Sequence, residues 1–235
     1  MPRLLPVSQR PSVLASRAFE EHAEELAGRD LPDTFEYIYE NNIWGSPESQ
    51  SGEGSELAAT AQIRAKLPVL LRRYGMRTLL DAPCGDFGWM SYLDLPGVMY
   101  TGVDVVRSLV ERNKQSYGSG SRRFMVRDIV TDSLPEADLV MCRDCLVHLS
   151  YREISLALRN FRRSGSKYLL TTTFTEVDEN RDITTGDWRP LNLCQPPLNF
   201  PEPAELIIED CEEAGGAYAD KALGLWALGS ITSDF

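Results

Sequence analysis

Short apolar runs alternate with segments of helical spacing through most of the chain. Five runs rich in Leu, Val, Met and Thr predict strands at 78–82, 99–104, 124–128, 138–142 and 167–174. Strands that alternate with helices are typical of a mostly parallel sheet covered on both faces. We therefore predict an α/β fold.

The helical segments lie before and between these strands. Helical spacing predicts helices within 13–26, over 56–74 and over 108–116. Pro68 is expected to kink or restart the second of them. After the fourth strand, Ser150 and Glu153 form a capping box ahead of an apolar stripe, which predicts a further helix.

Two stretches break this rhythm. Residues 45–55 are rich in Gly and Ser, which predicts a flexible loop. Residues 175–203 hold several prolines and acids, and a long irregular insert in a compact domain is usually functional or disordered. Its aromatic residues and leucines argue against disorder, so we expect this insert to bind the substrate. We expect residues 1–54 to form a helical and aromatic lid segment. Residues 55–235 then form the core, which ends in a helix or strand near 206–211 and a strand near 223–228.

Composition narrows the classes of partner. The 235 residues fit one domain, and a formal net charge of -11 argues against general nucleic-acid binding, although Arg122, Arg123 and Arg127 lie close together. We expect a small-molecule substrate. The five cysteines are scattered, and the Cys142/Cys145 pair lacks a second pair that would complete a zinc site.

No apolar run is long enough to cross a membrane, and the first residues do not resemble a signal peptide. We expect a cytoplasmic protein without membrane association, as a monomer or homodimer.

Charged side chains follow several of the predicted strands. Ligands bind open α/β sheets at the carboxyl ends of the strands, which places Asp81, Asp104, Asp128 and Arg143 on one rim. Asp104 follows Asp81 at about the 20-residue offset expected for an acid that binds ribose hydroxyls. Asp128 is positioned to accept from an adenine amino group, and Ile129 to pack on the ring.

The turn after the first strand lacks the G-x-G-x-x-G pattern of dinucleotide binders. Asp81 and Asp86 would repel a pyrophosphate, whereas a sulfonium cofactor with a free amino group would be attracted. This charge favours S-adenosylmethionine over NAD.

The segment Asp81-Ala82-Pro83-Cys84-Gly85-Asp86 resembles the first cofactor-binding loop of class I S-adenosylmethionine-dependent methyltransferases. Residues 142–149 resemble the segment after strand four that lies beside the methyl group in that family. The resemblance implies a Rossmann-like sheet of about seven strands, mostly parallel, with helices on both faces and a final antiparallel strand. It assigns ribose to Asp104 and adenine to Asp128, and we add Phe87, Val105 and Arg143 as cofactor contacts.

The reaction itself needs a base if the acceptor is a hydroxyl group. His148 lies just beyond strand four, and its type of side chain suits proton removal near neutral pH. Asp144 precedes it by one helical turn and is expected to orient the imidazole or bind a divalent cation. A magnesium site formed by Asp144, Glu176 and Asp178 is a further possibility.

Aromatic residues are the candidates for covering the cofactor and binding the acceptor. We expect Trp44, with Tyr37 and Tyr39, to cap the cofactor, and Trp188 with Arg189 to bind the acceptor. The predicted function is O-methylation of a small hydroxylated acceptor such as a sugar or natural product. N-methylation, an NAD-linked oxidoreductase and a non-catalytic binding module stay open as alternatives.

Overall fold

The computed structural model describes residues 4–231 and contains a seven-stranded sheet in the order β3-β2-β1-β4-β5-β7-β6. The strands are β1 (Thr78–Asp81), β2 (Met99–Asp104), β3 (Arg122–Val126), β4 (Leu139–Cys142), β5 (Tyr168–Phe174), β6 (Glu205–Ile208) and β7 (Lys221–Ala227). Strands β1 to β5 run parallel, and β7 runs antiparallel to both neighbours, β5 and β6. The predicted α/β fold, with its final antiparallel strand, is confirmed.

Helices cover both faces of this sheet. They are α1 (Leu14–Glu21), α2 (Ala23–Leu26), α3 (Leu31–Glu40), α4 (Ala61–Arg73), α5 (Arg107–Tyr117), α6 (Tyr151–Arg163) and the single turn α7 (Glu213–Gly216). Helices α4 and α5 bury Ile63, Leu67 and Val110 on one face, and α6 buries Leu158 and Phe161 on the other. None of the helices within 4–231 is both long and apolar enough to cross a membrane.

Several element boundaries differ from the sequence prediction. Strand β3 ends at Val126 rather than 128, because the Asp128 carboxylate accepts from Val130 N and closes a turn there. Helix α4 begins at Ala61, later than predicted, and continues through Pro68 without a break. The capping box is confirmed, since Ser150 Oγ accepts from Glu153 N at 3.3 Å.

The insert at 175–203 contains no helix or strand but is tightly packed. Leu191, Leu193 and Leu198 are fully buried in the core beside α6. The Asn180 amide donates to the carbonyl oxygens of Asn192 and Pro196, at 2.8 and 3.0 Å. Buried leucines and side-chain hydrogen bonds to the backbone therefore replace regular secondary structure here.

Replacing Phe161 with alanine tests the packing of α6. Phe161 is fully buried, so Phe161→Ala is expected to lower the free energy of unfolding by about 3–5 kcal/mol. The control Arg152→Ala changes an exposed residue of the same helix. It should change the free energy of unfolding by no more than about 0.5 kcal/mol. Urea unfolding followed by circular dichroism measures both, and equal effects would contradict this packing.

Candidate functional site

A cleft lies at the carboxyl ends of β1, β2 and β4. The sheet side of the cleft is lined by Asp81, Pro83, Cys84, Gly85, Trp89, Asp104, Val105, Val106, Leu109, Arg127, Ile129, Arg143, Asp144, Cys145, His148 and Leu149. Residues from the N-terminal segment close the other side, namely Leu31, Phe35, Tyr39, Trp44, Gln50, Ser51 and Ser55. The cleft thus lies where parallel strands of an open sheet bind ligands.

Two carboxylates at the ends of β1 and β2 are removed from water. Asp81 and Asp104 are 3% and 7% exposed. Asp81 accepts from the Tyr100 hydroxyl at 2.6 Å, and Asp104 accepts from the backbone N–H groups of Gly85 and Val106, both at 3.1 Å. Burial raises the pKa of Asp81 to about 7 and that of Asp104 to about 6. A cation in the cleft would stabilise the ionised form of both carboxylates.

The loop after β1 has little space around it. The Ala82–Pro83 peptide bond is cis, and Gly85 has a φ of +53°. A Cβ atom on Gly85 would lie 2.6 Å from Ser51 Oγ, so this position requires glycine both for its backbone conformation and for the close approach. Asn113 on α5 holds the turn by donating to Gly85 O at 2.8 Å.

The Gly- and Ser-rich segment 45–55 is well packed, which corrects the prediction of a flexible loop. Ser49 Oγ donates to Asp86 Oδ2 at 2.6 Å, and Asp86 N donates to Ser51 Oγ at 3.0 Å. Ser46 Oγ donates to Glu56 Oε1 at 2.7 Å. The serine hydroxyls of this segment form hydrogen bonds with the loop after β1 and with a glutamate just beyond the segment. The amino-acid composition does not predict these partners.

Four predicted cofactor contacts lie outside the cleft. Asp86 uses its carboxylate on Ser49 and on Gly88 N, and Ala82 is buried in the core. Phe87 points into an aromatic cluster, with its ring centroid 5.0 Å from that of Tyr100. The fourth, Asp128, accepts from Val130 N and from the Thr131 hydroxyl at 2.7 Å, while its neighbours in the chain face the cleft.

Helix α3 and Trp44 form the apolar wall opposite the sheet. The Trp44 ring lies 6.1 Å from Phe35 and 4.9 Å from His148, measured between ring centroids. Its Nε1 is buried and has no hydrogen-bond partner among residues 4–231. Tyr39 also lines the cleft, whereas Tyr37 packs against the Arg29 guanidinium at 4.5 Å and does not.

Arg143 reaches the cleft from the end of β4. Its Nε donates to Glu209 Oε1 at 2.8 Å, and its Nη1 lies 3.2 Å from Asp144 Oδ2. Its Nη2 is buried and lacks a hydrogen-bond partner within the described residues. A buried guanidinium nitrogen without a partner is costly, so this donor is suited to an anionic group of a ligand.

Asp144 takes part in an ion network, not in orienting His148. Its carboxylate lies 2.7 Å from Lys221 Nζ and accepts from the Thr172 hydroxyl at 3.1 Å. Although burial alone would raise the pKa of Asp144, the charges of Arg143 and Lys221 lower it. Asp144 has a φ of +50° and precedes the short 3₁₀ turn Leu146–His148, so the helical spacing assumed from the sequence does not apply.

The predicted magnesium site is not formed. Glu176 and Asp178 are exposed, and Asp144 is already paired with two cations. Within 4–231 no three His, Cys, Asp or Glu side chains converge in a way that would hold a metal ion. The three acids follow the adjacent strands β4 and β5, as the sequence suggests. Lys221 of β7, however, lies beside Asp144, where a metal ion would have to bind.

His148 lies at the inner end of the cleft and is held by the insert. Its Nδ1 lies 2.9 Å from Asp187 O, so Nδ1 carries the proton and donates to that carbonyl. Nε2 is then an unprotonated acceptor, and no hydrogen bond to it occurs within residues 4–231. Burial lowers the pKa of His148 to about 4, which the bond to Asp187 O opposes. The imidazole is neutral at physiological pH.

A second pocket adjoins the cleft at His148 and shares Trp44, Ser51, Asp144 and His148 with it. Its other lining residues are Val13, Leu14, Ala15, Gly52, Glu53, Gly54, Phe174, Trp188, Glu213 and Lys221. Trp188, a predicted acceptor-binding residue, lines this second pocket. Arg189 does not: it is fully buried, and its Nη1 and Nη2 donate to Leu146 O and Leu149 O at 2.8 and 2.6 Å.

Sequence reasoning missed most of the residues that reach the site from far along the chain. Ser51 and Ser55 belong to a segment interpreted as loop, and Lys221 begins the last strand. Glu209 and Glu213 follow β6 with no motif around them. Their only signal is the acidic stretch 209–213, which does not show that Glu209 pairs with Arg143 or that Glu213 lies near Lys221.

The raised pKa of Asp81 predicts a pH dependence of stability. Because the folded-state pKa lies above the unfolded value, the stabilisation from protonated Asp81 is present below about pH 4 and is lost as pH rises through about 7. Asparagine does not ionise, so Asp81→Asn is expected to be more stable than the wild type at pH 8. The difference in free energy of unfolding should shrink towards pH 5. Urea unfolding at three pH values measures it, and a difference independent of pH would contradict the buried carboxylate.

No protein-family model matches the chain, and no curated protein matches it. Solved structures resemble parts of it. The methyltransferase domain of bacterial CtHen1 is 19% identical with a TM-score of 0.44, over 49% of this chain and 66% of that one, just under two thirds of its length.

Two further solved structures match larger parts of this chain. Magnesium protoporphyrin IX methyltransferase from Synechocystis PCC 6803, solved with bound SAM, is 17% identical with a TM-score of 0.47, over 67% of this chain and 81% of that one. Human N-acetylserotonin methyltransferase in complex with SAM is 19% identical with a TM-score of 0.46, over 68% of this chain and 47% of that one. The order of the seven strands and the antiparallel β7 give this chain the fold of the class I S-adenosylmethionine-dependent methyltransferases, as the resemblance of its sequence implied.

Proposed function

We propose that this protein is a methyltransferase that uses S-adenosylmethionine to methylate a hydroxyl group of a small acceptor. The observation that carries the proposal is the cleft at the sheet edge, which is lined by two desolvated carboxylates and by Arg143, whose Nη2 has no hydrogen-bond partner within the described residues. That set of charges matches a ligand with two positive groups and one negative group.

The carboxylates fit the positive groups of the cofactor. S-adenosylmethionine carries a sulfonium and an ammonium, and Asp81 and Asp104 both have a pKa raised by burial. A cation in the cleft favours their ionised forms. The same pair of carboxylates disfavours the pyrophosphate of NAD, because like charges in an apolar site repel strongly.

The remaining parts of the cofactor also find complementary groups. Arg143 Nη2 is available to the methionine carboxylate, and Asp104 has oxygen lone pairs left for the ribose hydroxyls. Val105 and Ile129 line the cleft and supply an apolar surface for adenine. We assign adenine to these two residues rather than to Asp128, whose carboxylate closes a turn.

The N-terminal segment acts as the cover of the cofactor site in this proposal. Leu31, Phe35, Tyr39 and Trp44 form the wall opposite the sheet, and Ser51 is bonded to the loop after β1. We expect a bound cofactor to pack against these residues as well as against the sheet edge. The cover excludes water and presents the Trp44 ring to a cationic sulfur.

His148 is the proposed base. When bound, the cofactor supplies an electrophilic methyl group on a positively charged sulfur. The Nε2 of His148 would accept the proton of the acceptor hydroxyl as that oxygen takes up the methyl group, so that the methylated product is left uncharged. Because burial lowers the pKa of His148 to about 4, its imidazole is unprotonated at neutral pH and able to accept a proton, although it is a weak base. The hydrogen bond from Nδ1 to Asp187 O holds the imidazole ring and leaves Nε2 as the nitrogen that accepts the proton.

The cofactor assignment predicts a ranking of ligands measured by calorimetry. Decarboxylated S-adenosylmethionine keeps both positive charges but lacks the group assigned to Arg143. It is expected to bind about 10- to 100-fold more weakly than S-adenosylmethionine, the usual effect of losing a charge-assisted hydrogen bond. NAD should show no binding. If NAD binds more tightly than S-adenosylmethionine, the result favours an oxidoreductase. If none of the three ligands binds, the result favours a non-catalytic module.

The role of His148 predicts a separation between turnover and cofactor binding. His148→Asn keeps an amide donor for Asp187 O but removes the basic nitrogen, so kcat is expected to fall by about 10²- to 10⁴-fold. The dissociation constant of S-adenosylhomocysteine should stay within about threefold of wild type. Turnover is measured as release of S-adenosylhomocysteine across a set of hydroxylated sugars and phenols.

The other histidine of the chain provides the matched control. His22 lies beside Tyr37 and outside both pockets, so His22→Asn should leave kcat unchanged. Wild-type turnover in His148→Asn would disprove the base assignment and would favour an amine acceptor, which needs no strong base.

A further inference from the structure

The second pocket is placed to hold an acceptor. It begins at His148 and Trp44, which it shares with the cleft, and it extends towards α1 and β7. His148 is 7% exposed, and its Nε2 has no hydrogen-bond partner within the described residues. A group that donates a hydrogen bond to Nε2 from this pocket would lie next to the cleft proposed to hold the cofactor.

The charged residues of the second pocket are mostly acidic. Glu53, Asp144 and Glu213 line it, against Lys221 alone. His148 adds no charge at neutral pH, because burial holds its pKa at about 4. The formal balance is thus three negative charges to one positive charge.

Lys221 is already engaged. Its Nζ lies 2.7 Å from Asp144 Oδ2, 3.7 Å from Glu209 Oε2 and 3.8 Å from Glu213 Oε1. Its side chain is 6% exposed, and although burial would lower its pKa, Asp144 and Glu209 raise it. Lys221 therefore serves the ion network and does not offer a free charge to an anionic ligand.

Glu213, in contrast to Lys221, lacks a partner of opposite charge at hydrogen-bond distance among residues 4–231. Its nearest cation is Lys221 Nζ at 3.8 Å, which is too long for a strong hydrogen bond, and its side chain is 23% exposed at the pocket. Burial raises the pKa of this carboxyl, although Lys221 lowers it. Glu213 would gain from a hydrogen-bonding cation that enters the pocket.

The walls of the pocket are apolar and aromatic. Phe174 and Trp188 line it, with their ring centroids 5.8 Å apart and their planes nearly perpendicular. Trp44 and Val13 line it as well. Such faces bind a ring by burial of apolar area, and indole also attracts a nearby cation.

We propose that the acceptor is a compact cyclic molecule that carries a basic amine in addition to the hydroxyl group that is methylated. The ring packs between Trp44, Trp188 and Phe174, the hydroxyl donates to His148 Nε2, and the ammonium pairs with Glu213 near the pocket mouth at Glu53. This proposal rests on the proposed function. Phosphorylated and carboxylated acceptors are disfavoured because the acids of the pocket repel them and Lys221 is already paired.

Three matched phenols test the charge preference. Tyramine, 4-ethylphenol and 3-(4-hydroxyphenyl)propanoate share a ring hydroxyl and differ in a chain that ends in an ammonium, a methyl or a carboxylate. Each is titrated calorimetrically into the full-length protein loaded with S-adenosylhomocysteine. Tyramine is expected to bind at least about tenfold more tightly than 4-ethylphenol, and the carboxylate is expected to bind most weakly.

A pair of neighbouring variants locates the effect. Glu213→Gln should reduce the advantage of tyramine over 4-ethylphenol to less than about threefold. Glu212→Gln changes an exposed acid that does not line the pocket and should leave the advantage intact. Equal loss in both variants would place the effect in the general negative charge of the protein and would overturn the assignment to Glu213.

The outcomes separate this proposal from the proposed function. If S-adenosylhomocysteine binds but the carboxylate binds as tightly as tyramine, or tyramine does not bind, the acceptor class is wrong while the cofactor assignment stands. If S-adenosylhomocysteine itself does not bind, the proposed function is wrong and this inference fails with it.

Discussion

The cost of holding ionisable groups out of water governs this site. Asp81 and Asp104 sit almost fully buried at the edge of the sheet, with the Tyr100 hydroxyl and two backbone N–H groups as their partners. Burial raises the pKa of both carboxyls. Hydrogen bonds alone do not offset the loss of hydration, so a positively charged ligand in the cleft would stabilise the ionised carboxylates. The architecture that creates this demand is the parallel sheet, which brings two strand ends side by side.

A buried ion network joins the proposed cofactor cleft to the proposed acceptor pocket. Arg143 follows β4 and Lys221 begins β7, and Asp144 lies within salt-bridge distance of both. Glu209, which follows β6, pairs with Arg143. Buried ion pairs contribute little net stability, but removing one partner leaves an uncompensated charge. The network therefore fixes the positions of Asp144 and Arg143 more than it stabilises the fold. It also engages the lysine that would otherwise attract an anion.

Individual residues show how far sequence patterns extend. The ends of β1, β2 and β4 were predictable because apolar runs followed by a charged residue mark strand ends, and Asp81, Asp104 and Arg143 all line the cleft. Asp128 follows a strand in the same way, yet a turn uses its carboxylate. Arg189 has the same chemistry as a ligand-binding arginine, but it is fully buried and bonded to backbone carbonyls. Residue type sets what a side chain can bind, whereas burial and competing partners determine what it does bind.

The sequence by itself determined the α/β class, the positions of the strands and the set of polar groups along their carboxyl ends. Those features depend on local periodicity and on residues that follow their own strand directly. Only the tertiary structure decided which of those groups face the cleft. It also placed segment 45–55 against the loop after β1, and it brought Lys221, Glu209 and Glu213 to β4. These contacts join residues far apart in the chain. Those of Lys221 with Asp144 arise because the sheet order places β7 beside β5 and next but one to β4.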